Sequence, residues 1–186
     1  MEHFDVLIVG AGISGVGAAH YLQKKCPGKS FAILEARKEI GGTWDLFRYP
    51  GIRSDSDMFT LGYGFHPWRN DKVIADGPSI KSYVNATATH YGIDRHIRFE
   101  TRVESMDFDT ARARWTVNVT TPEGPKQYSC GFLWMCSGYY RYSSGYTPDF
   151  PGADRFRGDI VHPQMWPENY DYAGKKVVII GSGATA

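Results

Sequence analysis

Apolar residues crowd into two short runs near the start of the chain, Phe4–Val9 and Phe31–Leu34, each bounded by residues that turn the backbone. Runs of this kind, without polar alternation, predict strands buried on both faces, as in a parallel sheet. Between them, Val16, Ala18, Ala19, Tyr21 and Leu22 fall at helical spacing from Gly15 to Lys25, and Cys26-Pro27-Gly28 ends that helix. A second helix is predicted over Pro78–Tyr91, with Ile80, Tyr83, Val84 and Ala88 on one face and Gly92 beyond its end. From Ile97 the period shortens. Arg102–Asp109, Arg114–Thr120 and Lys126–Cys130 read as strands of an antiparallel meander crossing one face of the domain, with turns at Thr110-Ala111 and Pro122–Pro125. Phe132–Cys136 is again continuously apolar and predicts a strand that returns to the central sheet, buried on both faces. Residues 40–71, rich in Gly, Pro, Asp and aromatics without a period, read as a functional loop, and Tyr139–Tyr172 reads as a linker.

The chemistry enters where the first strand ends. Gly10-x-Gly12-x-x-Gly15 follows a strand and opens a helix, and Glu35 closes the second strand roughly twenty residues on, the context that turns a glycine pattern into a dinucleotide site. Gly10 permits the tight turn, Gly12 lets the backbone approach a pyrophosphate, and Gly15 lets the helix press on the strand, while free N–H groups at the helix start face the phosphates. Glu35 stands where a ribose hydroxyl needs an acceptor, and it repels a 2'-phosphate, which suits the adenosine ribose of FAD. Val177–Ile180, followed by Gly181-Ser182-Gly183-Ala184-Thr185-Ala186, repeats the logic with Ala in the third small position. Two phosphate turns predict two dinucleotides, and a held flavin with a nicotinamide as hydride donor is the useful pairing. The predicted architecture is α/β: a doubly wound, Rossmann-like FAD-binding domain over residues 1–140 with an inserted antiparallel β-meander, a linker over 141–174, and over 175–186 the first strand and glycine turn of a second, Rossmann-like NADP domain.

Bulk properties exclude more than they add. Over 186 residues the formal net charge is +1, which gives no electrostatic reason to expect nucleic acid as a partner. The three cysteines, Cys26, Cys130 and Cys136, form no CxxC pair, so neither a zinc knuckle nor a disulfide framework is indicated, and no metal site is expected. No run reaches membrane-spanning length and the first residues lack the charge of a secretory signal, so the expected location is the cytoplasm. Oligomeric state is not legible. A flavin disulfide reductase places a redox cysteine pair after a Gly-Gly-Thr turn; here Trp44 follows Gly41-Gly42-Thr43, and a flavin without that pair points to molecular oxygen as electron acceptor.

Gly10-x-Gly12-x-x-Gly15, the Gly41-Gly-Thr-Trp44 turn, Arg48-Tyr-Pro-Gly-x-Arg53-x-Asp55 and above all Phe156-x-Gly158-x-x-x-His162-x-x-x-Trp166-Pro167 together resemble the class B flavin monooxygenases. The last motif is similar to the fingerprint of the Baeyer–Villiger branch, and Thr43–Leu46 with Gly51–Met58 is similar to the ethionamide-activating group; the likeness corresponds to the N-terminal part of such an enzyme. That resemblance implies NADPH reduction of FAD, addition of oxygen at the flavin C4a carbon, and attack of the resulting peroxide on a ketone, giving an ester or lactone, or oxygenation of sulfur by the hydroperoxide. It implies FAD contacts from Ser14, Glu35, Thr43, Trp44, Asp45, Leu46, Asp55 and the backbone of Val103, with Gly42 in the turn. It implies NADP contacts from Arg53, Ser54 and Asp55 and from Gly181 to Ala186. Asp55 is the implied catalytic carboxylate, partner of an arginine that this chain does not contain. Phe156, Gly158, His162 and Trp166 are implied to couple the domains.

Two rival readings stay open at this level: an N- or S-oxygenating flavin monooxygenase without ketone activity, and a non-catalytic flavin-binding fragment. Asp55 and Asp57 are also candidates for plain loop acids paired with Arg48 or Arg53, and Trp44 for a core plug. His20, His66, His90 and His96 have no partner at metal-ligand spacing and read as structural or exposed. Tyr139, Tyr140, Tyr142 and Tyr146 read as loop packing or as the wall of a substrate path.

Overall fold

The computed structural model describes residues 1–183 and 185. Strand β1 (Glu2–Val9) leads through the glycine turn into helix α1 (Ile13–Lys25), and strand β2 (Phe31–Leu34) follows. The segment read as an irregular loop contains two single helical turns, α2 (Thr43–Leu46) and α3 (Met58–Leu61). Asp57 caps α3 by accepting from the Thr60 amide at 2.8 Å. Helix α4 spans Gly77–His90, and Asp76 accepts from the Ser79 amide at 2.9 Å, a capping geometry that holds an otherwise unpaired amide of the first turn. Strands β3 (Ile97–Arg98), β4 (Arg102–Asp109), β5 (Arg114–Thr121) and β6 (Gly124–Met135) complete one six-stranded sheet of order β3-β2-β1-β6-β5-β4.

Both faces of β1 and β2 are buried, as their unbroken apolar runs predict. Val6, Ile8 and Ile33 point into a core shared with Val16 and Ala19 of α1 and Ile80, Val84 and Ala88 of α4. Leu7, Ala32 and Leu34 point the other way, into a second core with Val117 and Val119 of β5 and Tyr128 and Cys130 of β6. The meander therefore folds back over the face opposite the helices.

The structure changes three expectations. Lys126–Cys130 and Phe132–Cys136 are not two strands but one: β6 pairs antiparallel with β5 through Gly124–Cys130 and parallel with β1 through Tyr128–Met135. Gly131, which reads as a break, sits inside the ladder. The second half of β6 is not buried on both faces, since Phe132 is 57% and Trp134 39% exposed: the helical layer of α1 and α4 covers β1 and β2 and stops short of β6. Within α1, Val16, Ala18, Ala19 and Leu22 are buried as expected, but Tyr21 is exposed and His20 is buried instead. The His20 ring stacks on Phe65 at 3.6 Å between centroids, an aromatic use of imidazole that hydropathy does not register.

Gly131 supplies a test of the continuous strand. A Cβ there meets nothing nearer than the Asp5 carbonyl oxygen at 3.4 Å, an ordinary contact. Gly131→Ala is expected to be neutral or to raise stability by about 0.4–1 kcal/mol in urea unfolding, because the unfolded chain loses freedom; a loss of about 2 kcal/mol or more contradicts a regular strand at this point.

Candidate functional site

The site is built at the carboxyl ends of β1 and β2, where the parallel half of the sheet hands over to α1. Gly10 has φ +103°, and a Cβ on it would lie 2.6 Å from the Cys136 carbonyl oxygen. A Cβ on Gly15 would lie 1.9 Å from the Gly10 carbonyl oxygen, so helix and turn touch backbone to backbone and only hydrogen fits between them. Gly12 is different. Its Cβ position meets only the Cα of Gly42 at 3.5 Å, so glycine here leaves room in the groove between two facing turns. No side chain caps α1, and Ser14 is exposed in its first turn.

Glu35 closes the groove. It is 6% exposed, its Oε2 accepts from the Ala11 amide at 2.7 Å and its Oε1 from the Arg37 amide at 2.9 Å. Each oxygen keeps a further lone pair, so the carboxylate can accept from ribose hydroxyls without giving up the bonds that hold it. The Glu35 amide donates to the Arg98 carbonyl at 2.9 Å, and its carbonyl accepts from the Thr101 amide at 2.9 Å. Val103 begins β4 just beyond. The facing turn is pinned by the Gly41 amide, which donates to the Ala11 carbonyl at 3.1 Å. A cradle of this shape, with an open helix start, facing glycines and a buried acceptor carboxylate, fits the diphosphate and ribose of a dinucleotide.

The side chain of Asp45, expected at the cofactor, is engaged by cations of the chain itself. It is 2% exposed and faces inward, where Arg37 binds it through two nitrogens and Lys81 Nζ approaches to 2.7 Å; Arg48 stands at 3.6 Å. Burial pushes its carboxyl up, but the hydrogen bonds from Lys81 and Arg37 outweigh burial and hold it below the ordinary carboxylate value. Asp45 is thus the anion that gathers three cations, Arg37 beyond β2, Arg48 beyond α2 and Lys81 of α4, beneath the cradle. Trp44 is partly buried and packs against the main core, which favours the plug reading.

Arg53 and Asp55 point outward, whereas the buried Ser54 between them turns in, with its Oγ accepting from the Ala75 amide at 3.3 Å. Among the described residues Asp55 forms no ion pair, and Arg48 spends its charge on Asp45 and on Glu168 at 3.2 Å, so the simple loop-acid pairings do not form. In the linker, His162 Nδ1 accepts from the Gln164 amide at 3.1 Å, opening a 3-10 turn at Pro163–Met165. Its ring lies on Gly145, where any Cβ would come within 2.0 Å of it. Trp166 packs edge-on against Tyr170 and Tyr172, while Phe156 is 61% exposed. Among the described residues these side chains form no hydrogen bond with the cradle.

Two positions, Gln164 and Lys81, escaped the sequence reading, and a third, Tyr142, was legible only as one of a cluster. Gln164, buried, donates to the Arg141 carbonyl at 2.6 Å and ties its segment to the stretch that follows β6. Lys81 sits on a helix face that reads as solvent. Tyr142 places its hydroxyl 3.6 Å from the Cβ position of Gly42, over the groove, and burial and then Glu35 raise its pKa. Neighbouring tyrosines were visible as a cluster, but nothing in the pattern separates Tyr142 from the rest. Val177–Ile180 forms no strand: its residues are 62–86% exposed and lack a partner among the described residues. Gly181, Ser182, Gly183 and Thr185 follow it without regular structure; Ala184 and Ala186 lie outside the described residues.

The fold and cradle define a Rossmann-type dinucleotide-binding protein, and residues 8–76 match the NAD(P)-binding Rossmann-like domain. Residues 62–186 match the flavin-binding monooxygenase-like family, and the chain belongs to that family. It is 62% identical over 185 residues to the FAD-containing monooxygenase EthA of Mycolicibacterium smegmatis, covering 100% of this chain and 38% of that protein. Among solved structures it is similar to an oxidized steroid monooxygenase bound to NADP, at 37% identity and a TM-score of 0.82 over 97% of this chain and 34% of the other. It is also similar to an ε-caprolactone-bound cyclohexanone monooxygenase, at 28% identity and a TM-score of 0.84 over 100% of this chain and 36% of the other.

Asp45→Asn tests the cation cluster. Removing the charge leaves Lys81 and Arg37 partly buried without their anion, and a loss of about 3 kcal/mol is expected in urea unfolding near pH 7. Because the folded carboxyl titrates below its ordinary value, its contribution is full above about pH 5 and fades as pH falls through the folded pKa, so wild type and variant should converge in acid. Parallel stability curves from pH 7 down to pH 3 contradict this.

Proposed function

We propose that this chain is the N-terminal part of an FAD-dependent, NADPH-consuming monooxygenase of the Baeyer–Villiger type, acting on small ketones or thio compounds with molecular oxygen. The observation that carries the reading is the Glu35-closed glycine cradle in one polypeptide with a Phe156-x-Gly158-x-x-x-His162-x-x-x-Trp166 linker, in a chain of the flavin-binding monooxygenase-like family. Similarity to a steroid monooxygenase bound to NADP supports the pairing of cofactors.

On this reading residues 1–140 hold FAD, 141–174 connect, and 175–186 open an NADP-binding unit. The flavin, when bound, supplies the two-electron chemistry that lets NADPH activate oxygen. The chain's own residues do the rest. Ser14 and the amides at the start of α1 face the diphosphate, and Glu35 takes the ribose. Thr43 and Leu46 border the groove opposite Gly12, Trp44 keeps water from the core side, and the backbone of Val103 reaches the base end. Asp45 acts through Arg37 and Lys81, as a positioning residue. Asp55, exposed and in no ion pair among the described residues, is assigned to receive a cation of the full-length protein, and Arg53 and Ser54, with the Gly181–Ala186 turn, are assigned to NADP. Phe156, Gly158, His162 and Trp166 set the linker so that domain motion is transmitted as a unit. Among the described residues no helix is long and apolar enough to cross a membrane, and we assign the protein to the cytoplasm.

The test uses the full-length protein that contains this chain. It should purify yellow, and NADPH oxidation should accelerate with cyclohexanone and with thioanisole, with lactone and sulfoxide formed. Asp55→Ala should keep its flavin and lose about 100-fold or more in turnover. Sulfoxide without lactone would reassign the enzyme to heteroatom oxygenation, and a colourless protein that FAD cannot reconstitute would end the proposal.

A further inference from the structure

A cavity of about 580 Å³ lies between residues 65–70 and the outward face of α4, a size typical of small-molecule sites. None of its lining belongs to the cradle. Lys81 of α4 reaches to the Asp45 turn, whereas Ser79, Ser82, Ala86 and His90 face the cavity, so the two sites occupy different sides of one helix. The walls are fixed before anything binds. Tyr83 Oη accepts from the Tyr63 amide at 2.7 Å and donates to the His66 carbonyl, Tyr91 Oη donates to the Phe65 carbonyl at 2.8 Å, and Trp68 Nε1 donates to the Lys72 carbonyl at 3.0 Å.

The charge of the lining is one-sided. Arg69, His66 and His90 line it, with the two imidazole centroids 5.4 Å apart, and no Asp or Glu does so among the described residues. Asp76, next along α4, is engaged by the Ser79 amide at 2.9 Å and by Lys72 at 3.4 Å. Burial first, then His90 and Arg69, hold the His66 imidazole below its ordinary pKa, as expected where positive groups gather without an acid. Apolar lining comes from Phe65, Pro67, Tyr83 and Tyr91, with Phe65 already stacked on His20 and Tyr63 and standing at 79° to Tyr91, so the aromatic wall is angled.

We propose that this cavity is a second ligand site, separate from the dinucleotide cradle, that takes a small aromatic monoanion: its ring packs in the angle between Phe65 and Tyr91 and its carboxylate lies between Arg69 and the His66–His90 pair. Aromatic walls with a few converging polar groups suit such a ligand, and the guanidinium matches a carboxylate in shape as well as charge.

The probe is 2-naphthoate, titrated into the flavin-loaded full-length protein with histidine ring resonances followed by NMR and assigned through His66→Gln and His90→Gln. Saturable one-to-one binding is expected, with both resonances shifted and the His66 midpoint raised; the groups facing that ring are His90, Arg69, Tyr83 and Tyr91. The neutral analogue 2-naphthylmethanol should bind at least about tenfold more weakly, and Arg69→Ala should weaken naphthoate at least about fivefold at unchanged flavin content. Equal affinity for the neutral analogue, indifference to Arg69→Ala, or release of flavin by naphthoate would each overturn the proposal.

Discussion

Everything that positions the cradle passes through a buried carboxylate. Glu35 sits at the end of β2 with its side chain on Ala11 and Arg37 and its backbone on Arg98 and Thr101, so it joins the glycine turn, the second strand and the approach to the meander. An ionised carboxylate at 6% exposure is costly unless each oxygen is paired, and here the partners are backbone amides that cannot rotate away. The bond from Ala11 ties the glycine turn to the end of β2, while the Gly41 amide on the Ala11 carbonyl spans the groove. A residue that looks like a ligand contact is therefore first a piece of the scaffold, and its binding competence follows from the lone pairs left over.

Beneath it lies a second polar layer with the opposite logic. Asp45 is an anion surrounded by Arg37, Arg48 and Lys81, which are themselves 28–54% exposed. Arg48, the most exposed, adds little stability because solvent screens it. The three also carry geometric weight: Arg37 follows Glu35 by two residues, Lys81 projects from α4, and Arg48 reaches on to Glu168. The turn at Gly41–Leu46 is held from below by charge and from the side by the Gly41 amide, which keeps Gly42 opposite Gly12.

What the sequence made legible is what depends on local periodicity and on glycine sterics. Gly10 and Gly15 could be read because the contacts that exclude a Cβ there lie within a few residues or on the adjoining strand, a geometry common to strand–turn–helix units. The apolar faces of α4 and both faces of β1 and β2 followed from spacing alone. The ion pairs of Asp45 could not be read because its partners are 8 and 36 residues away, and nothing in a linear pattern distinguishes an acid that meets a ligand from one that meets Lys81. Gly131 misled in the opposite sense: a glycine between apolar runs suggests a break, yet β1 and β5 clamp the backbone on either side of it.

The contrast between Val6–Val9 and Val177–Ile180 carries this one step further. Both are short, apolar and followed by Gly-x-Gly, and their intrinsic preference for extended backbone is the same. The first is a strand because β2 and β6 flank it and take up its amides and carbonyls on both sides; the second has no such neighbours among the described residues and stays exposed. A strand is a property of a ladder, since an extended segment gains its hydrogen bonds only from another one. The glycine turn that follows is subject to the same condition. At the first turn, the tight contact of Gly15 on Gly10 exists because β1 is held rigid by its neighbours, and the open amides of α1 are aimed only as well as that strand is held. The repeated motif therefore specifies a phosphate turn conditionally, and the ladder that fixes the preceding strand is what makes the condition hold.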